Sequence, residues 1–294
     1  MLNSSIFDAK DSVQVVFKSS PFGTQSHGYE ANNSFLLSAY GKRILIGSGY
    51  RDIYGSEHHT EWMWSTRSVN NITVNGLGQR KHSAATQGRI TAFRTTPAAD
   101  IVVGEAGDCY EPPLERFTRA IVFVKPELVV VYDRLAAREP STYQYWLHSL
   151  KRMATDDQHN VRVRNSDVTC EVDFLTPDGL QFTQTDQYDP NPRPRITLRE
   201  WHLTAALPAK HKTIEFVTLY RIRRGEGQEH AAATLEKVEA GYVLRTVASA
   251  GRTTLLLPID PATALTADGL TSRGNIVVGI SSGGPGGGTT VVAE

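Results

Sequence analysis

A loop-like segment near the N-terminus, residues 26–33, concentrates groups that can transfer protons or form hydrogen bonds. It contains an imidazole, a phenol and two carboxamides, supplied by His27, Tyr29, Asn32 and Asn33. A strand-like run follows directly, and a rigid sheet holds polar groups at a strand end in the fixed geometry that a site requires. The same side chains can instead cap backbone groups of a structural loop. The segment alone leaves both interpretations open.

A second segment, residues 54–67, combines aromatic rings, imidazoles and a guanidinium without the alternation of a strand. Tryptophan faces stack on sugar rings or bases, and arginine binds a carboxylate through two parallel hydrogen bonds. Two adjacent histidines are a poor metal-binding pair because neighbouring side chains diverge. The alternative is that both tryptophans pack in the core and both histidines lie on the surface. The candidate residues of this segment are Tyr54, His58, His59, Trp62, Trp64 and Arg67.

Other polar motifs have simpler structural interpretations. The pair Asn75-Gly76 is typical of a hairpin turn. His148 and His202 each lie in a strand-like run, where a histidine is more often a satisfied core residue than a catalyst.

The composition excludes several functional classes. Lys+Arg and Asp+Glu both total 31, so the formal net charge of the 294-residue chain is zero. A neutral chain argues against nucleic-acid binding, which normally needs a strong basic excess. A local basic cluster such as Arg80-Lys81-His82 fits either a cleft or a solvated face. No apolar run approaches the length needed to cross a bilayer, so no membrane partner is expected.

The N-terminus and the cysteines limit the cellular context. Residues 1–10 contain neither a basic region nor an apolar core, so no signal peptide is predicted, and a cytoplasmic location is favoured if the chain is complete. Cys109 and Cys170 form neither a disulfide framework nor a CxxC metal knuckle, and their spacing leaves a single bridge open.

Hydrophobic periodicity indicates an all-β protein. Short runs rich in β-branched and aromatic residues recur along the chain, and turn signals separate them. The one helix-like run is Ala231–Val238. We therefore predict a large two-sheet antiparallel β-sandwich with little helix. Separate strands are expected, among others, at Leu128–Asp133, Tyr143–His148, Thr197–Thr204 and Ile214–Arg221.

A proline-rich connection suggests how the chain is divided. The run Gln187–Pro194 is rigid and extended. Residues 1–186 are predicted to form the main β-sandwich, and residues 195–294 add strands to the same sandwich or form a small second β-domain. Strand pairing across the connection is equally compatible with the pattern.

Short motifs occur in a fixed order over about residues 13 to 150: Phe17-Lys18-Ser19-Ser20-Pro21-Phe22-Gly23, Ser26-His27, Asn33-Ser34-Phe35, Tyr40-Gly41, Ser48-Gly49-Tyr50, Tyr54-Gly55-Ser56-x-His58-His59, Thr66-Arg67, Asn75-Gly76-x-Gly78-Gln79, Val129–Asp133 and Trp146-Leu147-His148. In this order they resemble the β-sandwich region of heparinase II/III-like polysaccharide lyases. Among relatives, the exo-acting oligoalginate lyases look closest.

The resemblance implies a reaction. That family cuts acidic polysaccharides by β-elimination, in which a base removes the C5 proton of a uronate, a neutraliser stabilises its carboxylate and an acid protonates the departing O4. Donors positioned at the carboxylate supply the largest energetic term, and a histidine or tyrosine within reach of C5 takes the proton. The resemblance places the family's catalytic histidine on His27. An acidic polysaccharide or oligosaccharide is the implied partner, contacted by Tyr29, Asn33, Tyr54, His58, His59, Trp62, Trp64 and Arg67.

The chain departs from the family pattern at a metal site. Many relatives read His-x-His-x-Asp in the loop around His27, and their second histidine helps to bind a structural zinc. The corresponding zinc positions are Tyr29, Gly47 and Val69 here, and Ala31 replaces the acid of the loop motif. These side chains lack the nitrogen, sulfur and carboxylate donors that zinc prefers. No bound zinc and no other cofactor are therefore predicted.

A further departure concerns a missing domain. Full-length lyases of this kind carry a helical toroid before the β-domain, but only 26 residues precede His27. The chain is then expected to be a fragment, one subunit of a split enzyme, or a domain kept for binding. Two functions follow: a lyase domain acting on alginate-like or heparan-like polymers with a separate toroid, or a non-catalytic carbohydrate-binding or assembly module. A toroid subunit or a second copy of the chain is the expected protein partner.

Overall fold

The computed structural model describes residues 1–21, 28–49, 52–156, 160–226, 231–282 and 288–294. Strands account for 57% of the molecule and helical segments for 6%, so the all-β prediction is confirmed. Helical structure in the described ranges occurs in short segments at Ala9–Asp11, His58–Met63, Thr66–Ser68 and Gly107–Cys109. None of the helices in these ranges is long and apolar enough to cross a membrane.

The N-terminal part of the chain forms two antiparallel sheets. The first sheet has four strands in chain order: β1 (Leu2–Asn3), β2 (Val13–Lys18), β3 (Ser34–Ala39) and β4 (Lys42–Leu45). The second sheet has ten: β5 (Ile72–Val74), β6 (Arg89–Thr95), β7 (Ala99–Glu105), β8 (Arg116–Val124), β9 (Leu128–Ser149), β10 (Ala154–Thr155), β11 (Asn160–Asn165), β12 (Val168–Thr176), β13 (Gln181–Thr185) and β14 (Trp201–Arg224). The order in this large sheet is β10–β11–β12–β14–β9–β8–β7–β6, with β13 paired to β14 and β5 paired to β9.

The C-terminal strands form a third sheet and a hairpin. They are β15 (Thr234–Val238), β16 (Gly241–Ala248), β17 (Gly251–Pro258), β18 (Leu265–Ala267), β19 (Leu270–Ser272), β20 (Val277–Ser281) and β21 (Thr289–Ala293). The sheet order is β15–β16–β17–β20–β21, and β18 pairs with β19.

The three larger sheets are stacked with the ten-stranded sheet in the middle. Alternate residues of its central strands enter two different cores: Ile121 and Phe123 pack with the four-stranded sheet, whereas Val122 and Val124 pack with the five-stranded sheet. Successive side chains of a strand point to opposite faces, so a continuous apolar run marks a strand buried on both sides. The structure thus adds a third layer to the two sheets that were expected.

Two strands are much longer than the sequence pattern suggested. β9 spans 22 residues and β14 spans 24, and each joins two runs that were predicted as separate strands. They pair with each other from Trp201 opposite Ser149 to Arg221 opposite Leu128, with irregular register near residues 207–213. The run Ala231–Val238, which could make two helical turns at most, is not helical, because residues 234–238 form β15 and pair along their whole length with β16.

The proline-rich connection lies within one sheet. β13 precedes Gln187–Pro194 and β14 follows it, and these two strands pair with each other. β15 to β21 come after β14 and supply the third layer. The division into residues 1–186 and 195–294 stays a prediction.

Candidate functional site

The segment around the expected catalytic residue is described only in part. His27 itself lies outside the described residues, and the chain is described again from Gly28. Tyr29 is exposed over 41% of its surface. The backbone N–H of Glu30 donates to the carbonyl of Trp64 at 2.8 Å. This bond places the two segments singled out in the sequence side by side.

The carboxamides of the first segment hold the loop to the sheets beneath it. Asn33, predicted as a substrate contact, is fully buried, and its Nδ2 donates to the carbonyls of Gly104 and Phe117, each at 3.1 Å. The backbone of Asn32 exchanges two hydrogen bonds with the side chain of Gln79, at 3.0 and 2.7 Å. Both carboxamides therefore lie below the surface and satisfy backbone groups of neighbouring segments.

A buried ion pair fixes this loop to the central sheet. Arg119 on β8 donates from Nε and Nη2 to the two carboxylate oxygens of Asp133 on β9, at 2.6 and 2.9 Å. Its Nη1 donates to the carbonyls of Asn33 and Asn70, at 2.8 and 3.0 Å. Neither charged side chain is exposed. Because all these donors and acceptors are paired, the guanidinium acts as a rigid joint between sheet and loop.

The histidines of the second segment lie in a short π-helix, His58–Met63. Such wide turns often occur at functional sites. His58 and His59 are both buried, whereas the structural alternative given for this segment places both histidines on the surface. Nδ1 of His58 lies 2.8 Å from the carbonyl of Pro190, so this nitrogen carries the proton and donates. Nδ1 of His59 accepts from the N–H of Gly55 at 3.2 Å.

Trp62 contributes to the core beneath the site. It is 2% exposed, and its Nε1 donates to Oγ of Ser48 at 3.3 Å. Its ring lies 4.9 Å from that of His202 and 5.4 Å from that of Tyr188, centroid to centroid. The sequence did not separate Trp62 from its neighbour Trp64, which is only half-buried.

An aromatic surface lies beside the π-helix, and we call it the ring cluster. The ring of Trp64 lies 4.0 Å from that of His82, 4.4 Å from that of His59 and 6.3 Å from that of Tyr54. Tyr54 is 65% exposed, and His82 is exposed as well. The ring cluster thus consists of Tyr54, His59, Trp64 and His82, of which Tyr54 and His82 are exposed, Trp64 is half-buried and His59 is buried.

Two cations border the ring cluster, and both are bound to acidic residues. Arg67 donates from Nη1 to the carboxylate of Asp189 at 3.1 Å, and its guanidinium lies 5.6 Å from the ring centroid of Trp62. Nζ of Lys81 lies 2.5 Å from Oε1 of Glu61. Exposed ion pairs of this kind exchange readily with water and with charged ligands.

A buried polar network continues from Trp62 into the two long strands. Oε2 of Glu200 accepts from the N–H of Gly49 at 2.7 Å and from the hydroxyl of Tyr188 at 2.9 Å. The Nδ1 atoms of His148 and His202, which are register partners on β9 and β14, lie 3.0 Å apart. Burial lowers the pKa of His202 to about 4 and lowers that of His148 well below its ordinary value. Both rings are therefore neutral at physiological pH, as a core interpretation requires.

Glu30 is a residue of interest that the sequence analysis missed. It is 6% exposed, and Oγ1 of Thr66 donates to its backbone carbonyl at 2.9 Å. Burial raises the pKa of its carboxyl to about 7, although Lys81 and the backbone of Thr66 favour the ionised form. No sequence signal marks this glutamate, because its burial depends on residues more than thirty positions away.

The positions at which the resemblance expects zinc ligands lie on one cavity of about 340 Å³. Its lining includes Tyr29, Ala31, Gly47 and Val69. A phenol, a methyl group, a glycine and an isopropyl group offer no imidazole, thiolate or carboxylate ligand. In the part of the chain that the structure describes, no group of three or more His, Cys, Asp or Glu side chains is arranged for a metal ion. The residues present do not fit a zinc ion.

Comparisons with known proteins identify the family of the chain. The family model described as heparinase II/III-like, C-terminal, matches residues 4–231, which is most of the chain. The chain belongs to this family. The matched residues contain β2 through β14, so the heparinase II/III-like C-terminal domain corresponds to these strands.

Solved structures share the fold of this heparinase-like domain. Heparan sulfate lyase HepC from Pedobacter heparinus matches with a TM-score of 0.69 and 18% identity, over 88% of this chain and 41% of that one. A heparinase III gene product matches with a TM-score of 0.66 and 15% identity, over 80% and 37%. Another heparinase III structure matches with a TM-score of 0.61 and 14% identity, over 97% and 40%. The chain therefore spans about two fifths of the length of these lyases. No curated protein matches its sequence.

Proposed function

We propose that this heparinase-like domain acts on a uronate-containing acidic polysaccharide by β-elimination. The observation that carries the proposal is the family match over residues 4–231, a range that includes position 27, where the sequence resemblance expects the catalytic histidine. Most of the ring cluster and Arg67 lie in the segment of residues 54–67, which is hydrogen-bonded to this loop, and His82 and Lys81 contact the same segment. A site that combines a proton-transfer group, stacking faces and cations has the components that elimination from a uronate polymer needs.

His27 is proposed as the group that moves the C5 proton or neutralises the uronate carboxylate. An imidazole titrates near neutrality, so it can serve either role without a large change of pKa. Arg67 is proposed as the carboxylate ligand. It would exchange its exposed partner Asp189, which it binds through one carboxylate oxygen, for the substrate carboxylate in a charge-assisted hydrogen bond.

The ring cluster is proposed to bind the sugar units next to the cleavage point. Trp64 and Tyr54 present aromatic faces, and His82 extends the same surface. Stacking on such faces orients a sugar ring without strict dependence on its hydroxyl pattern. His58 and Trp62 lie below this surface and are proposed to support it. Asn33 is fully buried, so its predicted sugar contact is not carried further.

The remaining catalytic groups are proposed to come from a helical toroid. The chain spans about two fifths of the lyase structures that it resembles, so a partner segment or subunit has room to complete the cleft. The groups on both sides of that cleft would determine whether a heparan-like or an alginate-like polymer is bound.

A binding-only module is the second candidate. The same exposed aromatic surface, with Tyr54 65% exposed, would serve a carbohydrate-binding domain without catalysis. This candidate predicts affinity for uronate oligosaccharides and no chemical change in them.

The test is incubation with heparan sulfate, hyaluronan and alginate, with and without a helical toroid domain from a relative. Elimination leaves an unsaturated uronate that absorbs in the ultraviolet, and hydrolysis does not. An unsaturated product supports the lyase proposal. Binding without product supports the binding module, and the absence of both refutes the two candidates together.

A further inference from the structure

The cavity beside Tyr29 differs from the ring cluster in both position and chemistry. It lies on the outer face of β2 and β3, the face that does not pack on the central sheet. Val16 and Leu36 are register partners on this face, and Lys18 and Ser34 are the next pair on the same side. The segments around Gly47–Gly49, Met63 and Ser68–Val69 close its other sides.

The walls of the cavity are mainly apolar, and polar groups stand at defined points. Val16, Leu36, Met63 and Val69 provide the apolar surface. Three serine residues, Ser34, Ser48 and Ser68, also belong to the lining, as does the exposed residue Tyr29. A volume of about 340 Å³ is at the lower end of small-molecule pockets, which hold about 300–1,000 Å³. An apolar wall with a few convergent polar groups is the usual character of a ligand pocket.

Lys18 supplies the one charged side chain among the lining residues. Its Nζ lies 3.3 Å from Oδ1 of Asn32 and 3.4 Å from Oγ of Ser20, both neutral acceptors at long distance. None of the ion pairs formed among the described residues includes Lys18. Burial lowers the pKa of this ammonium group, which shows that its charge is poorly compensated. An anionic group in the cavity would provide the missing partner.

We propose that this cavity is a subsite for a single uronate unit, with its carboxylate bound by Lys18 and its apolar ring face packed against Leu36, Met63 and Tyr29. The inference rests on the proposed function, because it is the acidic polysaccharide that supplies such a unit.

Small side chains create the room for this unit. Gly47 and Ala31 line the cavity where longer side chains would project into it. A Cβ added at Gly47 would lie 3.9 Å from Cδ2 of Leu36, which is an ordinary van der Waals contact, and the backbone there needs no glycine. A larger residue at this position therefore fills the cavity without straining the fold.

The test is ligand-observed NMR and calorimetry on the whole chain with methyl glucuronide as the probe. Two control ligands are compared with it: methyl glucoside, which has the sugar ring without the carboxylate, and hexanoate, which has a carboxylate on an apolar chain. We expect the glucuronide to bind at least about tenfold more tightly than either, since a charge-assisted pair and a sugar face contribute together. Equal binding of glucoside and glucuronide, tighter binding of hexanoate, or no binding of glucuronide overturns the proposal.

Two variants locate the binding. Lys18→Met should weaken glucuronide binding about tenfold and leave glucoside unchanged, and Gly47→Leu should abolish binding while the thermal transition is retained. Lys210→Met, a change of an exposed lysine on β14, is the matched control and should bind as the wild type does. Unaltered affinity in Lys18→Met contradicts the assignment even if Gly47→Leu fails to fold.

The outcome is separable from that of the proposed function. If glucuronide binding depends on Lys18 but no unsaturated product forms from the polymers, the subsite proposal is supported and the lyase proposal is refuted. If elimination occurs with the same KM in wild type and Lys18→Met, the lyase proposal is supported and the subsite proposal is refuted.

Discussion

At the scale of single residues, burial brings the titration of Glu30 close to neutral pH. Its carboxyl interacts with Lys81, Glu61 and the backbone of Thr66, and burial raises its pKa to about 7 from an ordinary 4.5. The folded protein therefore holds a proton that the unfolded chain releases between these two values. Stability from this group is present below about pH 4.5 and is lost as the pH rises through about 7.

Glu30→Gln should consequently stabilise the protein above neutral pH. The amide keeps the shape of the protonated carboxyl and never ionises. The gain in the free energy of unfolding over the wild type should therefore reach up to about 3 kcal/mol at high pH and vanish in acid. Urea unfolding at several pH values measures it, and Glu57→Gln, at an exposed position, is the control. Equal stability of wild type and Glu30→Gln at high pH would show that the carboxylate is well solvated.

Arg119 is the residue on which the placement of the loop depends. Arg119→Met leaves Asp133 buried without a partner and frees the carbonyls of Asn33 and Asn70. Loss of one partner of a buried pair costs about 3–5 kcal/mol, and replacing both partners by apolar residues costs less. Denaturant unfolding should thus rank Arg119→Met as less stable than the double variant Arg119→Met/Asp133→Leu. Arg94→Met, on the exposed edge strand β6, should change little, and the reverse ranking would contradict the role of the pair.

At the scale of elements, β9 and β14 carry a buried pair of neutral histidines beneath the site. The pKa of His202 falls to about 4 in the fold, against an ordinary 6.5, because burial penalises its charged form. The unfolded chain therefore takes up a proton between these values and the folded chain does not. Stability from this pair is present above about pH 6.5 and is lost as the pH falls toward about 4.

His202→Gln should remove this acid sensitivity. Through this group, the free energy of unfolding of the wild type should fall by about 3 kcal/mol across that pH range. The variant should be less stable than the wild type at neutral pH and should lose less stability on acidification. Ionisation of Glu30 changes the stability with pH in the opposite direction over an overlapping pH range. The quantity to compare is therefore the difference between the stability-versus-pH curves of the variant and the control. His211→Gln, on the exposed part of β14, is that control, and parallel curves for the two variants would contradict the prediction.

The π-helix and the turn after it place Trp64 at the surface and Trp62 in the core. Trp64→Ala should weaken binding of a uronate oligosaccharide about tenfold, because His59, His82 and Tyr54 lose the ring against which they pack. Calorimetry measures the change, with Phe93→Ala, another exposed aromatic on β6, as the matched control. Unchanged affinity in Trp64→Ala would show that the ring cluster takes no part in substrate binding.

At the scale of the whole molecule, the sequence predicts the class of fold better than its layers. Alternation and turn residues identify most strands, including the runs Leu128–Asp133 and Tyr143–His148 that lie in β9, because these signals are local. The apolar run through Phe123 and Val124 predicts a strand but does not say which sheets cover its two faces. The joining of separate runs into β9 and β14 depends on their pairing with each other, which no local pattern contains.

The candidate site shows the same limit. The motifs identify the loop around His27 and the segment of residues 54–67, and the structure brings these two segments together through the Glu30–Trp64 hydrogen bond. The periodicity does not say which tryptophan is buried, since a π-helix departs from the usual 3.6-residue repeat. Glu30 and the cavity at Gly47 arise from contacts between distant segments and need the folded chain to be seen.

The central claim is that this domain supports β-elimination through the loop that carries His27. The most direct measurement compares wild type and His27→Ala for release of unsaturated uronate from the polymer on which the wild type acts, with the toroid domain present and circular dichroism confirming the fold. Loss of a general acid or base costs about 10²–10⁴-fold, so the account predicts a loss of this size in His27→Ala and none in His211→Ala. Near wild-type release of unsaturated product by His27→Ala would contradict it.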